Sequence, residues 1–254
     1  MNISAFIMAM ICLFTVLPLK TANGDEGGYK YLWGGFSTSL IGRSPAQMQN
    51  AGRAALDIDG IIIPPGGVFS FNKLVGGRDR EKGYTRAPMI DGSGYLQDIP
   101  GGGICQLATT IYNAALYAGL EIVERHPHSR AVSYVPPGRD ATIATWRKDL
   151  KLRNPHRLPF VLRISMKDGR ITAGFWSIED KQFKIEIVTE SIPLEPSTAA
   201  AESAGSGCRG GQAGGTGFSV ITRRFVQEGD QVREHAASQD FYPPPTRVLK
   251  GDRP

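Results

Sequence analysis

The sequence predicts an α+β fold: two helices packed on a mostly antiparallel sheet, with a β-rich C-terminal tail. Three observations predict it. Two segments, after Ser44 and after Gly103, carry apolar residues at helical spacing and end on a glycine. Many short runs rich in β-branched and aromatic residues lie around them, divided by turn signals such as Lys167-Asp168-Gly169. A low-complexity Ala/Ser/Gly stretch then sets off the last strand-like runs from the rest.

The elements are taken in chain order. Ile3 to Leu19 is almost unbroken apolar sequence, with Cys12 inside it, and Lys20, Ala22-Asn23-Gly24 and Asp25-Glu26 follow. Small residues at Ala22 and Gly24 before a sharp polar switch fit a signal-peptidase site, so residues 1–24 are read as a signal peptide. No Lys or Arg stands in the n-region, which weakens that reading, and an uncleaved membrane anchor competes with it because the run approaches the length of a span. Both readings put the remaining chain outside the cytoplasm.

Tyr29 to Leu40 reads as a strand. Ser44-Pro45-Ala46-Gln47 starts a helix, with Ser as N-cap, Pro at the first helical position and Gln placed for a capping box. Met48, Ala51, Ala55 and Ile58 form its stripe, and Gly60 ends it. Ile61 to Ile63 is a short buried strand, Pro64 to Gly67 a turn, and Val68 to Asn72 an alternating strand. The second helix carries Ile104, Leu107, Ala108, Ile111, Ala114, Ala115 and Ala118 on one face and closes at Gly119. Strands are expected over Glu121 to Glu124, Thr142 to Trp146, Leu150 to Arg153, Phe160 to Ser165, Arg170 to Ser177 and Phe183 to Val188. Pro196 to Gly217 reads as a flexible linker, Phe218 to Gln227 with Gln231 to Glu234 as a hairpin, and Tyr242 to Pro245 as extended chain. The organisation is thus a main domain over 29–195, a linker over 196–217 and a tail over 218–254.

The net charge of +5 is too small and too dispersed to argue for a nucleic acid partner, although a mildly basic exported protein suits an anionic wall or membrane surface. Beyond the leader two cysteines remain, Cys105 and Cys208. A disulfide between them is the default in an oxidising compartment, but Cys208 stands in the glycine-rich linker, where closing a loop contributes little.

Cys105 is the residue on which chemistry would centre. Gly101-Gly102-Gly103 runs directly into a helix, and Cys105 stands in its first turn. Unpaired amides and the macrodipole there favour negative charge, which stabilises a thiolate and offers donors for an oxyanion. Glycines let the backbone approach a substrate closely. Cys105 lies off the apolar stripe, on a side shared with Thr109, Tyr112 and Asn113. Gly101, Gly102, Gly103, Gln106 and Thr109 are assigned to substrate binding. The competing reading is a buried structural cysteine behind a common glycine-rich helix entry.

A thiol nucleophile needs a base. Arg125-His126-Pro127-His128-Ser129 follows the strand that leaves the Cys105 helix, so a strand running back returns a histidine towards the helix start. Asp140, Asp149 or Asn154 would orient the imidazole. The two histidines with Cys105 also resemble three zinc ligands, but without a recognisable spacing, and neither metal nor cofactor is assigned.

The chain resembles the VanW domain family. The matching text is Phe36-Ser37-Thr38, Asp59-Gly60 with Ile63 to Gly66, Phe69 to Asn72, Gly83-Tyr84, Gly101 to Gln106, Tyr112 to Ala115, Glu124 to Ser129, Tyr134 to Thr142 and Asp149-Leu150. It covers roughly 35 to 178, and the tail looks like the region that follows the domain in many members. The resemblance implies a cell-envelope role. Some members act as L,D-transpeptidases, joining peptidoglycan stem peptides through a cysteine nucleophile. It implies Cys105 as that nucleophile, and His128, within the more typical His128-Ser129, as base ahead of His126. A non-catalytic wall-binding or accessory module linked to glycopeptide resistance is the alternative. In that case the glycine loop and helix start would hold a stem carboxylate.

Overall fold

The computed structural model describes residues 28–90, 96–145, 147–194 and 217–243. The leader, Cys208, the linker before Gly217, Trp146 and the last prolines fall outside the described residues.

Strand β1 (Tyr31–Ser39) is followed by helix α1 (Pro45–Ile58), and the predicted capping box is present at Ser44 and Gln47. Short strands β2 (Ile62–Ile63) and β3 (Val68–Ser70) lead to a one-turn helix α2 (Phe71–Val75). The alternation read as a strand through Asn72 therefore stops early. The Ser70 hydroxyl accepts from the Lys73 amide and caps the new turn. A hairpin of β4 (Arg86–Ile90) and β5 (Leu96–Pro100), not foreseen from sequence, precedes helix α3 (Ile104–Ala118). Then come β6 (Glu121–Glu124), β7 (Lys151–Arg153), β8 (Phe160–Lys167), β9 (Arg170–Ser177), β10 (Lys184–Pro193), β11 (Phe218–Glu228) and β12 (Gln231–Tyr242).

All the pairings between these strands are antiparallel, in four groups. The central sheet runs β1-β9-β8-β2, with Asp168 and Gly169, both at positive φ, turning β8 into β9. A smaller sheet runs β3-β7-β6, and β10-β11-β12 forms a third. Of the strand expected over Thr142 to Trp146, the described residues 142–145 form none. Isolated bridges at His126–Thr142 and Ala144–Lys148 hold that segment instead.

Helix α3 lies against β1 and β9, and α1 packs on α3 and β8. A Cβ on Gly34 of β1 would fall 2.2 Å from the Ala118 amide nitrogen, so only glycine allows the helix this close. The core joins Trp33, Ile58, Leu107, Ile111, Phe160 and Phe175, at about 1.5–3 kcal/mol for each large side chain removed from water.

Helix α3 departs from its expected amphipathic form. Thirteen of its fifteen residues are buried, among them Thr109, Tyr112 and Asn113 on the Cys105 side. That face is covered by the irregular segment 134–145. Asn113 donates to the Arg139 carbonyl at 2.6 Å and accepts from Arg139 Nε at 2.6 Å. Thr109 Oγ1 donates to the Ala141 carbonyl at 3.1 Å and accepts from the Ala141 amide at 2.9 Å. One turn apart on the helix, Thr109 and Asn113 clamp the two residues that flank Asp140.

Candidate active site

Cys105 is a half-buried free thiol in the first turn of α3. The chain leaves α3 through Gly119, whose φ of 77° makes the turn, and returns as β6 towards the start of the helix. There the Thr142 amide donates to the His126 carbonyl at 2.8 Å. Two residues on, the His128 backbone amide donates to Asp140 Oδ2 at 2.6 Å, and His128 Nδ1 lies 2.6 Å from the same oxygen. This engages Nδ1 with the carboxylate and leaves Nε2 for the thiol, whose charged form the His128 side chain favours. Cys105 Sγ also lies 3.6 Å from Thr142 Oγ1 and 3.7 Å from the Ile143 carbonyl.

Asp140 is almost fully buried, and every side of its carboxylate is used. Besides His128, Oδ1 accepts from the Tyr242 hydroxyl at 2.5 Å and from Arg125 Nη2 at 3.2 Å. Arg125 also donates from Nε to the Asp140 carbonyl at 2.6 Å, and from Nη1 to Asp240 at 2.5 and 2.6 Å. Tyr242 accepts the Gly138 amide at 2.8 Å. Asp240 and Tyr242 are two apart on β12 and share one face. The third sheet thereby closes over the site.

The electrostatics follow from this order. Burial pushes the Cys105 thiol up, but the hydrogen bond and charge of His128, with the Thr142 hydroxyl, outweigh it and bring it down to about 7. Burial pushes His128 down, while Asp140 and Cys105 favour its charged form and raise it to about 9. Burial raises the Asp140 carboxyl, yet its hydrogen bonds from His128 and Tyr242 leave it below the usual range. Near neutral pH the thiol is therefore about half ionised, beside an imidazolium and above a buried carboxylate. Tyr134 borders the site with its hydroxyl well above the usual range, through burial and then the charge of Cys105. Its ring faces the Arg43 guanidinium at 5.0 Å.

A cleft of about 300 Å³ opens beside the thiol, lined in part by Arg78, Gly101, Ile104, Cys105 and Ile143. Of the predicted site residues, Cys105, His128 and Asp140 meet, and Gly101 borders the cleft.

The others have different work. His126 Nε2 lies 3.0 Å from Glu124 Oε1, and that carboxyl is held near 2, chiefly by the hydrogen bond from Lys151. Asp149 accepts from the Ser70 hydroxyl and the Asn72 and Leu150 amides at 2.6–2.8 Å, tying α2 to β7. Asn154 donates to the Ile63 and Leu158 carbonyls. Gln106 and Thr109, expected at the substrate, are buried with their side chains on their own chain. Gln106 donates to Thr38 Oγ1 and the Ser39 carbonyl, and Thr109 holds Ala141.

Gly102 and Gly103 approach their own chain. A Cβ on Gly102 would lie 2.6 Å from the Ala87 oxygen, and one on Gly103 2.6 Å from the Gln47 oxygen. The Ile104 and Gln106 amides bond back to Gly101 and Gly103 at 3.3 and 3.2 Å, so neither waits for an oxyanion.

Sequence reasoning missed Arg78, Arg125, Tyr134, Asp240 and Tyr242. Arg125 abuts the histidine motif, and a buried Asp alternating with Tyr on one strand face is the signal that the tail carried.

Residues 46–176 match the family model described as VanW like protein. A protein of Bacillus subtilis (strain 168) called uncharacterized protein YoaR is 38% identical over 165 residues, which is 64% of this chain and 54% of that protein. The vancomycin B-type resistance protein VanW of Enterococcus faecalis (strain ATCC 700802 / V583) is 30% identical over 146 residues, 55% of this chain and 52% of that protein. The chain spans about half the length of these curated relatives. No solved structure matches it. With the family model covering 131 of 254 residues in one continuous stretch, the chain belongs to the VanW-like protein family.

Proposed function

We propose that this protein is a cysteine acyltransferase of the cell envelope that acts on peptidoglycan stem peptides in the manner of an L,D-transpeptidase. The observation that carries the reading is the Cys105–His128–Asp140 relay, whose thiol is shifted towards thiolate and whose imidazole is shifted towards imidazolium. In the proposed reaction Cys105 Sγ forms a bond to a peptide carbonyl carbon. The C–N bond breaks, and His128 gives its proton to the leaving amine. Neutral His128 then takes a proton from an acceptor amine or from water, which attacks the thioester and frees the thiolate. Asp140 keeps the imidazole oriented and stabilises its charged form throughout.

The apolar segment Ile3 to Leu19 supports export, and the basic net charge suits an anionic wall. A part in the response to glycopeptides rests on the likeness to the enterococcal resistance protein.

Incubating the purified protein with muropeptides and analysing the products by mass tests this. Release of a terminal residue, with a new cross-link or hydrolysed stem, is expected. Cys105→Ala should lower that rate by at least about 10³-fold. Turnover that survives the substitution would end the nucleophile assignment.

A further inference from the structure

Arg78 is the cation of the cleft beside Cys105. Its stem packs against Gly101, where a Cβ would come within 3.2 Å of Arg78 Cβ and Cδ. One donor bonds Asn72 Oδ1, and the guanidinium carbon stands 6.0 Å from the centre of the Phe71 ring. Asn72 is itself fixed, donating from Nδ2 to the Ala144 and Lys148 carbonyls at 3.2 and 2.8 Å and from its amide to Asp149 Oδ1 at 2.8 Å. The arginine is thus held in place by neutral contacts.

Among the described residues its guanidinium forms no ion pair, and Nε is buried without a partner. The other cleft walls are largely apolar, with Met89, Ile99, Ile104 and Ile143. A rigid arginine fork in such a place suits a planar carboxylate, whose two oxygens match its geometry. Burial lowers the pKa of Arg78, partly offset by the charges of Cys105 and Asp149, but it stays protonated.

We propose that Arg78 determines specificity by binding a free carboxylate on the acyl donor, that of the terminal residue which leaves as the amine. This rests on the acyl-transfer reading above and names its substrate class: peptides ending in a free carboxylate. Arg78 takes no part in bond making. It holds the departing residue so that the preceding carbonyl faces Sγ.

Two alkylating agents separate the claims, because iodoacetate carries a carboxylate and iodoacetamide is its neutral analogue. The ratio of their rates at Cys105 in the full chain is measured against a free model thiol. It should exceed that of the model thiol, and Arg78→Gln should lower it by roughly 10–100-fold, as for loss of a charge-assisted contact. Loss of the nearby cation also disfavours the thiolate and slows both reagents alike, and the ratio cancels that common change. Arg78→Lys keeps the charge but loses the fork, and should retain part of the ratio. An unchanged ratio in Arg78→Gln overturns the proposal.

A second arm needs no variant. A stem peptide with a C-terminal carboxylate should protect Cys105 from iodoacetamide at a concentration at least tenfold below that of its C-terminal amide. Equal protection also overturns the proposal. If Cys105 in the folded wild type is inert to iodoacetamide itself, the acyl-transfer reading fails first, and the two failures are distinct.

Discussion

A thiol deprotonating near pH 7 beside an imidazole deprotonating near pH 9 gives a window in which both charged forms coexist. Attack needs the thiolate, which is present above the lower value. Protonation of the leaving amine needs the imidazolium, which is present below the upper one. The pH profile of kcat/KM should therefore rise through about 7 and fall through about 9. Alkylation by iodoacetamide needs only the thiolate, so its rate should rise through the lower value and stay level. His128→Ala removes the proton partner and leaves burial opposed only by the Ile143 and Thr142 hydrogen bonds, which should move the alkylation midpoint upward, to about 8.5 or beyond. His126→Ala should leave it in place, because that ring pairs with Glu124. Asp140→Asn should lower the pKa of His128 and narrow the window from the alkaline side. It should also cost roughly 3 kcal/mol in urea unfolding, since Arg125 and the Tyr242 hydroxyl lose a buried partner.

At the scale of elements, the site depends on how closely the start of α3 is drawn onto its neighbours. Asn50, fully buried on α1, donates to the Gly102 and Thr85 carbonyls at 2.9 and 3.0 Å and holds the glycine loop from below. Gly103→Ala meets both a φ of 102° and the Gln47 backbone, and should destabilise by more than about 2 kcal/mol. Urea midpoints measure this, and Cys105 alkylation should slow in parallel because the thiol rides on the displaced turn. An equally stable variant would show that the loop can shift without cost. The helix signals at Ser44, Gly103 and Gly119 were legible because caps and glycine stops act within a few residues. The β4-β5 hairpin and the one-turn α2 were not. Pro88 within one run weakens a strand signal, and at Ser70 a side-chain cap overrides a two-residue alternation.

On the scale of the whole molecule, the third sheet is joined to the site. Strand β10 pairs with β11 from Lys184 to Pro193, and β12 carries Asp240 and Tyr242 against Arg125 and Asp140. The segment read from sequence as a tail supplies the outer wall of the relay. Tyr242→Phe leaves the Gly138 amide and Asp140 Oδ1 each short of a partner and should cost about 1–3 kcal/mol. The same variant should slow Cys105 alkylation at neutral pH through a less fixed Asp140. Thermal or urea unfolding, read beside the alkylation rate, checks both. A variant that loses neither would mean that β12 merely covers the site.

The sequence by itself determined the α+β class, the two long helices, the 167–169 hairpin turn and the placing of a cysteine at a helix start. All of these depend on contacts within a few residues or on a repeating pattern. Its family motifs singled out His128, and its list of acidic candidates already held Asp140. Only the tertiary structure chose Asp140 over Asp149, because both are buried acids and the choice turns on which loop Thr109 and Asn113 clamp to α3. Only the tertiary structure turned Gly102, Gly103, Gln106 and Thr109 inward, onto residues 15 to 68 positions away along the chain. It alone brought Arg78 and Cys105 to one cleft and Tyr242 beneath Asp140. Those contacts bridge distances at which local propensity carries no information, and burial and hydrogen-bond satisfaction settle them together when the chain closes.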